Sequence, residues 1–179
     1  MNDPIDRPVR LETERLVLDA HGTGHFEALC VLWSDPQVVR HIGKPSTPTE
    51  CWARLLRYRG LWALLGFGYW AVTEKASGRF VGDLGFADFH RPIDPPIHGL
   101  PEAGWVLAPW AQGRGYASEA LAAALGWLDG TTAHRRTACL IAPENRASVR
   151  VAEKAGFRFQ YNVRFMEEDT LFLTRDRPA

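Results

Sequence analysis

The 179-residue sequence lacks an excess of charge of either sign, because 21 basic residues balance 21 acidic ones. A protein that holds nucleic acid by bulk electrostatics needs a basic face, so the neutral total argues against that class. No apolar run approaches the roughly 18 residues that span a bilayer, and the polar start MNDPIDRPVR is unlike a signal peptide. We therefore expect neither nucleic acid nor a membrane as a partner.

Cysteine is also scarce. Cys30, Cys51 and Cys139 lie far apart and form no C-x-x-C pattern, which is typical of reduced packing residues in a cytoplasmic protein. His21 and His25 have the i, i+4 spacing of a helical metal pair, but glycines interrupt the segment and no acidic pattern completes a site. We interpret both histidines as surface residues and expect no metal.

Hydrophobic residues make up 46% of the sequence, which is enough for a sizeable core, and the sequence contains no internal repeats. We expect residues 1–179 to form one domain. Hydrophobic periodicity and turn residues predict, in order, a strand (12–20), a helix (24–33), a helix from a Thr49 cap to about residue 65, two strands (69–89), a strand (102–109), a helix (115–128), a strand (135–143), a helix closed by Gly156 and a terminal hairpin. This order is typical of a mixed α/β sheet, with parallel pairing where a helix intervenes.

The stretch PWAQGRGYASEAL, residues 109–121, is the main candidate site, because the small residues Gly113, Gly115 and Ala117 alternate directly before a helix. A backbone that wraps a pyrophosphate favours glycine, and a helix start adds free N–H groups and a positive dipole end. The Walker pattern is absent, and Ser118 stands at the third glycine position of the dinucleotide pattern. Taken alone, the stretch fits either an ordinary turn before a helix or a phosphate site.

The spacing Gln112-x-x-Gly115-x-Ala117 resembles the Q/R-x-x-G-x-G/A pyrophosphate signature of the GNAT acetyltransferase superfamily. ETERLVL, SDPQVVRHIG, EAGWVLAPWAQGRGYASEAL and NRASVRVAEKAGF resemble, in the same order, segments of its RimJ/RimL branch. The resemblance implies a GNAT fold of the α/β class. This is a mixed, mostly antiparallel sheet of about six to seven strands with about four helices and a V-shaped acetyl-CoA cleft between two central parallel strands.

The resemblance also implies a cofactor, acetyl-CoA, and residues that bind it. Backbone groups of Val106 and Leu107 are expected to pair with the pantetheine arm. The pyrophosphate loop is expected to comprise Gln112, Gly113, Arg114, Gly115, Tyr116, Ala117 and Ser118, joined by Asn145 and Ser148 from the later helix.

Two residues are predicted to be catalytic. Many GNAT enzymes place a tyrosine acid where this chain has Ala152, whereas the RimJ/RimL branch is similar to this chain in placing a serine at Ser148. Ser148 is then the expected partner of the departing thiolate, or alternatively a residue that bonds local backbone. Glu102 is the first candidate for the general base, with a solvated surface carboxylate as the alternative. Weaker candidates are Asp83, Asp88, His98 and His134.

The predicted function is transfer of an acetyl group from acetyl-CoA to a primary amine, either a protein N-terminus or a small molecule. The alternative is a non-catalytic acyl-CoA binder or sensor on the same fold. A nucleotide-phosphate binder of another kind is disfavoured by the missing Walker lysine. We expect acetyl-CoA and an amine as partners, and a monomer or homodimer.

Overall fold

The computed structural model describes residues 9–178, so most of the polar start discussed above lies outside the described residues. The strands are β1 (Leu11–Glu12), β2 (Leu16–Ala20), β3 (Tyr69–Glu74), β4 (Phe80–Ala87), β5 (Glu102–Leu107), β6 (Arg136–Ile141), β7 (Arg158–Phe165) and β8 (Glu168–Asp176). The helices are α1 (Phe26–Ser34), α2 (Pro36–Val39), α3 (Pro48–Leu65), α4 (Tyr116–Thr131) and α5 (Arg146–Lys154).

The strands lie in one sheet with the order β1-β2-β3-β4-β5-β6-β8-β7. Neighbouring strands run antiparallel except β5 and β6, which α4 connects and which are parallel. This arrangement confirms the predicted mixed, mostly antiparallel sheet. The expectation of parallel pairing where a helix intervenes holds for β5 and β6 but is wrong for β2 and β3, which are antiparallel although α1, α2 and α3 lie between them.

The described residues form eight strands and five helices, more than the resemblance implies. The predicted strand 12–20 is divided because the chain turns at residues 13–15, where the Leu16 N–H donates to Thr13 Oγ1 at 3.0 Å. The short α2 arises because Asp35 accepts the Gln37 N–H at 2.8 Å and Pro36 occupies the first turn. Local capping chemistry, rather than hydrophobic periodicity, creates both additions.

The start of α3 corrects a second expectation. Its N-cap is Thr47, not Thr49, since Thr47 Oγ1 accepts the Glu50 N–H at 3.3 Å while Glu50 accepts the Thr47 N–H at 2.7 Å. This reciprocal pair is a capping box, and Pro48 suits the first helical position. The helix ends at Gly66, whose φ of 73° is left-handed.

The core lies on both faces of the sheet. The largest cluster packs α4 residues such as Leu121 and Leu128 against Trp70 and Phe86 of the central strands. A second cluster packs α1 and α3 around Leu29 and Leu55 against Val106 of β5.

No helix within residues 9–178 is both long and apolar enough to cross a membrane. The same range contains no group of three or more His, Cys, Asp or Glu side chains that could hold a metal ion.

Candidate active site

A V-shaped cleft opens because β5 and β6 separate. They share one register pair in the described residues, Glu102 with Ala138, whereas β5 stays paired with β4 along its whole length. The resulting cleft has a volume of about 1340 Å³ and is lined by α3, β5, β6, the start of α5 and the β7–β8 hairpin. Predicted site residues Glu102, Val106, Asn145 and Ser148 all line it.

The glycine loop lies at the start of α4. Gly113 and Gly115 have φ values of 74° and 80°, a left-handed conformation that side chains with a Cβ rarely adopt. Glu119 makes the first helical backbone bond, to the Gly115 carbonyl at 3.1 Å. The N–H groups of residues 116–118 therefore precede the intrahelical pattern and are free to bind an anion.

Residues of the β1–β2 turn hold this loop in place from outside. Arg15 donates to the Arg114 carbonyl at 3.0 Å and to Glu119 at 2.7 Å. Glu119 also accepts from Thr13 Oγ1 at 2.6 Å and from the Arg15 N–H at 2.9 Å. These contacts join the β1–β2 turn to the first turn of α4, so the loop conformation is held before any ligand arrives.

The loop's side chains differ in their uses. Gln112 donates its amide to the Leu107 carbonyl at 3.0 Å, closing the turn rather than reaching outward. Tyr116 is buried, and its hydroxyl bonds Glu74. The Arg114 guanidinium lies 5.6 Å from the Trp110 ring centroid and is exposed. Gln112 and Tyr116 therefore offer a phosphate their backbone, while Arg114 also offers a cation.

Glu119 supplies a pH-dependent prediction. Burial acts to raise the pKa of this carboxyl, but its donors Thr13 and Arg15 outweigh burial and hold the pKa below the ordinary 4.5. A lowered folded pKa stabilises the fold above the unfolded value, and that stability is lost as the pH falls through the folded pKa. Thermal unfolding at neutral pH should show Glu119→Gln melting below wild type, with the gap closing below about pH 4.5. The exposed Glu153→Gln is the control; a gap unchanged by pH would contradict this account.

The open edge of β5 is set by strand alternation. The Ala138 N–H donates to the Pro101 carbonyl at 3.0 Å, so odd-numbered residues of β5 direct their backbone groups toward β6. Beyond the register pair these are Trp105 and Leu107. Of the two residues predicted to pair with pantetheine, Leu107 faces the open side, whereas the Val106 carbonyl packs over Gly82 of β4. Val106 lines the cleft with its side chain instead.

Ser148 lies in the first turn of α5, whose N-cap Asn145 accepts the Ser148 N–H at 3.2 Å. Its hydroxyl oxygen accepts the indole N–H of Trp105 at 3.2 Å. This contact leaves the hydroxyl hydrogen available to another acceptor in the cleft. Ala152, at the position where the resemblance would place a tyrosine, is fully buried in the main core. A tyrosine there would not fit without repacking.

Glu102 begins β5 and is 5% exposed. Both carboxylate oxygens accept from Arg91, at 2.7 to 2.9 Å. The alternative of a solvated surface carboxylate is therefore wrong. The remaining candidates are placed less well: Asp88 accepts backbone N–H groups of His90 and Gly99, His98 packs on His90, and His134 packs on Phe67.

The interpretation of His21 as a surface residue is also wrong. His21 is 2% exposed, and its Nε2 lies 2.7 Å from Asp83, which is fully buried. Asp83 also accepts the indole N–H of Trp33 at 2.7 Å. This contact fixes Trp33, which lines the cleft. Asp83 therefore positions Trp33 and is not placed to act as a base. Because 62 residues separate His21 from Asp83, no local pattern could show the pair.

Sequence reasoning missed a second wall of the cleft, formed by α3 and β3. Tyr58 and Tyr69 stack with ring centroids 4.5 Å apart, and a Cβ on Gly104 would strike the Tyr69 hydroxyl. Burial raises the pKa of both phenols, so both stay protonated at neutral pH. Arg54 and Arg57 line the cleft from the same helix. Arg54 precedes Arg57 by three residues and Tyr58 by four, and this helical spacing was a signal available in the sequence.

Comparison with known proteins agrees with this geometry. A model of the acetyltransferase (GNAT) domain matches residues 15–158. The chain belongs to the GNAT acetyltransferase family. A GnaT-family protein of known structure from Bordetella pertussis is 32% identical, with a TM-score of 0.84 over 94% of this chain and 99% of that one. The GNAT assignment therefore covers the glycine loop, the cleft and the start of α5 together.

Two further matches extend the comparison. The uncharacterized protein YkkB of Bacillus subtilis is 33% identical over 99 residues, which is 55% of this chain and 55% of YkkB. The match thus spans about half of that relative. The RimL ribosomal L7/L12 alpha-N-protein acetyltransferase, solved with coenzyme A, is 18% identical, with a TM-score of 0.77 over 94% of this chain and 98% of that one. This last likeness shows the GNAT fold alone.

Proposed function

We propose that this protein is an acetyl-CoA-dependent N-acetyltransferase that moves an acetyl group onto a primary amine. The observation that carries the proposal is the Ser148 hydroxyl, held by Trp105 across the gap between β5 and β6. It lies in the same cleft as a carboxylate, Glu102, and in a fold whose glycine loop presents free N–H groups. These are the parts that acyl transfer to an amine needs.

The residues present fit acetyl-CoA, which when bound supplies an acyl group activated as a thioester. Residues 113–118 would hold its pyrophosphate through backbone N–H groups at the positive end of α4. The open edge of β5, at Trp105 and Leu107, would pair with the pantetheine arm as an added strand. A backbone N–H on this edge would also stabilise the oxyanion.

Proton handling falls to the two predicted catalytic residues. Glu102 takes a proton from the amine, directly or through one water. The Ser148 hydroxyl donates a hydrogen bond to the departing sulfur. The Trp105 N–H, which bonds the hydroxyl oxygen, makes this hydroxyl a better donor. The positive end of α5 adds stabilisation for a thiolate.

The acceptor is a primary amine, either a protein N-terminus or a small molecule. The RimJ/RimL-like segments support a protein N-terminus. The three free cysteines support a reducing compartment such as the cytoplasm. One observation favours the alternative of a non-catalytic acyl-CoA binder: both oxygens of Glu102 are already bonded to Arg91.

The experiment that tests the proposal is release of free thiol from acetyl-CoA against a panel of amines, including N-terminal peptides, amino acids and polyamines. Amine-dependent thiol release supports the transferase. Binding of coenzyme A without release for any acceptor class supports the silent binder.

Cofactor binding should depend on the loop conformation. Valine at position 115 must adopt a φ near 80°, which costs about 1–3 kcal/mol for a residue with a Cβ. The competent loop is then a minor state, so apparent affinity falls by about 5- to 150-fold. Calorimetric titration of Gly115→Val with coenzyme A measures this loss.

The matched control is Gly126→Val, because position 126 lies within α4, where an added Cβ meets nothing within 4 Å. This variant should bind coenzyme A like wild type. Equal affinity of a folded Gly115→Val protein would remove the loop from the cofactor site.

A further inference from the structure

One wall of the cleft carries positive charge. Glu50, Arg54, Arg57 and Tyr58 share one face of α3. The preceding segment adds Arg40 and Lys44, so four cations stand beside one carboxylate on this wall. The opposite wall, at the β7–β8 turn, carries Glu168 and Asp169, and Arg164 on the same wall lies 3.4 Å from Asp169. Positive charge therefore predominates on the α3 wall.

Arg54 is held in place before any ligand binds. Its guanidinium carbon lies 3.5 Å from the Trp33 ring centroid, and Nη2 donates to Ser46 Oγ at 3.1 Å. Trp33 is fixed in turn by Asp83. The buried Nε of Arg54 has no hydrogen-bond acceptor in the described part of the chain. An unsatisfied buried donor is costly, so Arg54 retains unused hydrogen-bonding capacity beside the cleft.

Arg57 is the second cation of the group. Among residues 9–178 no carboxylate lies within 4.0 Å of it, and its guanidinium carbon is 5.3 Å from the Phe89 ring centroid. Arg91 lies on the same ring, 4.7 Å away, but Arg91 is neutralised by Glu102. Arg57 is exposed on the surface, but partial desolvation by its neighbours, with help from Arg54 and Arg91, lowers its pKa. Arg40, the other unpaired cation of this wall within residues 9–178, lies outside the helix and is also exposed. Arg54 and Arg57 are thus the two unpaired cations that α3 itself presents to the cleft.

We propose that the amine acceptor carries an anionic group, a carboxylate or a phosphate, that Arg54 and Arg57 bind. Planar guanidinium forks match both groups, and the aromatic wall around them lowers the local dielectric and strengthens the contact. The inference rests on the proposed function, since it names the substrate class of the same cleft. It disfavours polyamines, whose cationic chain would meet the positive wall.

The test uses amines in matched pairs that differ in charge. β-Alanine is compared with its amide, and phosphoethanolamine with ethanolamine, so that the two arms distinguish carboxylate from phosphate; spermidine serves as the cation. For wild type, kcat/KM should be about 10-fold or more higher for one acid than for its neutral partner, since a hydrogen bond to a charged group has that effect. Equal values within both pairs, or a preference for spermidine, would overturn the inference while leaving acetyl transfer intact.

Variants assign the preference to its residues. Arg57→Gln should raise KM for the anionic acceptor about 10-fold and change KM for the neutral acceptor much less. Arg54→Lys keeps the charge but loses the fork, and should lower the preference without removing it. Arg59→Gln changes an arginine of the same helix that does not line the cleft, and should leave the preference as it is in wild type. A preference that survives Arg57→Gln and Arg54→Gln in folded protein would contradict the assignment.

A binding readout separates this inference from acetyl transfer. Calorimetric titration of the coenzyme A complex with each acid and its neutral partner requires no turnover. If no amine is acetylated, the proposed function fails, and tighter binding of an acid than of its neutral partner still supports the anion site. Equal or absent binding of both acids and their neutral partners overturns the site.

Discussion

Glu102→Gln should lower kcat/KM at neutral pH by about 10²-fold, the lower end of the range for a general base. The lower end applies because Arg91 competes with the amine for both carboxylate oxygens. At high pH the amine is already deprotonated, so the two enzymes should converge. The pH–rate profile of kcat/KM, measured for one acceptor in both proteins, tests the role.

Arg91→Gln is the matched control, because it frees the carboxylate without removing it. A base released from Arg91 should stay active, so this variant should lose less activity at neutral pH than Glu102→Gln does. If Glu102 serves only to anchor Arg91, both variants should lose activity equally at all pH values. Parallel profiles for Glu102→Gln and wild type would therefore contradict a role in proton removal.

Ser148→Ala should lower kcat more than it lowers affinity for coenzyme A. The hydrogen bond to sulfur strengthens as negative charge collects there, and catalysis counts only such differences. One hydrogen bond to a charged group corresponds to about 1.5–3 kcal/mol, or roughly 10- to 150-fold in rate. The alanine keeps the backbone bond to Asn145, so α5 should remain capped. The measurement is kcat with both substrates saturating and chemistry rate-limiting.

Two further variants separate donation from packing. Ser148→Thr retains a hydroxyl and should recover much of the rate. Trp105→Phe removes the indole N–H that orients Ser148, and should lower kcat by less than Ser148→Ala does. A kcat for Ser148→Ala within about twofold of wild type, far below the effect of one such bond, would show that the sulfur departs without this residue.

Local sequence signals predicted the elements that hold the cofactor side of the cleft. Glycines with positive φ at 113 and 115, followed by an alanine-rich helix, form a recognisable loop because all their interactions lie within a few residues. Asn145 and Ser148 form a helix start for the same reason. The parallel pairing of β5 with β6 follows from the helix α4 that connects them.

Long-range pairs explain what the sequence did not reveal. The buried His21–Asp83 contact and the Arg91–Glu102 ion pair join distant or irregular segments, and Arg91 comes from a proline-rich loop without periodicity. Neither pair can be recognised before the sheet brings β2 beside β3 and β4 beside β5. The role of Arg54 and Arg57 likewise could not be predicted, because only the folded structure shows that no acidic side chain within residues 9–178 pairs with either arginine.

The most direct measurement for the central claim is the stoichiometry of product formation. Purified protein is incubated with acetyl-CoA and one amine from the panel, and free thiol is measured beside N-acetylated amine by mass spectrometry. The account predicts equal amounts of thiol and N-acetyl product in wild type, with both reduced together in Ser148→Ala. Two results would contradict it in a protein that still binds coenzyme A: release of thiol without an acetylated amine, and formation of neither product.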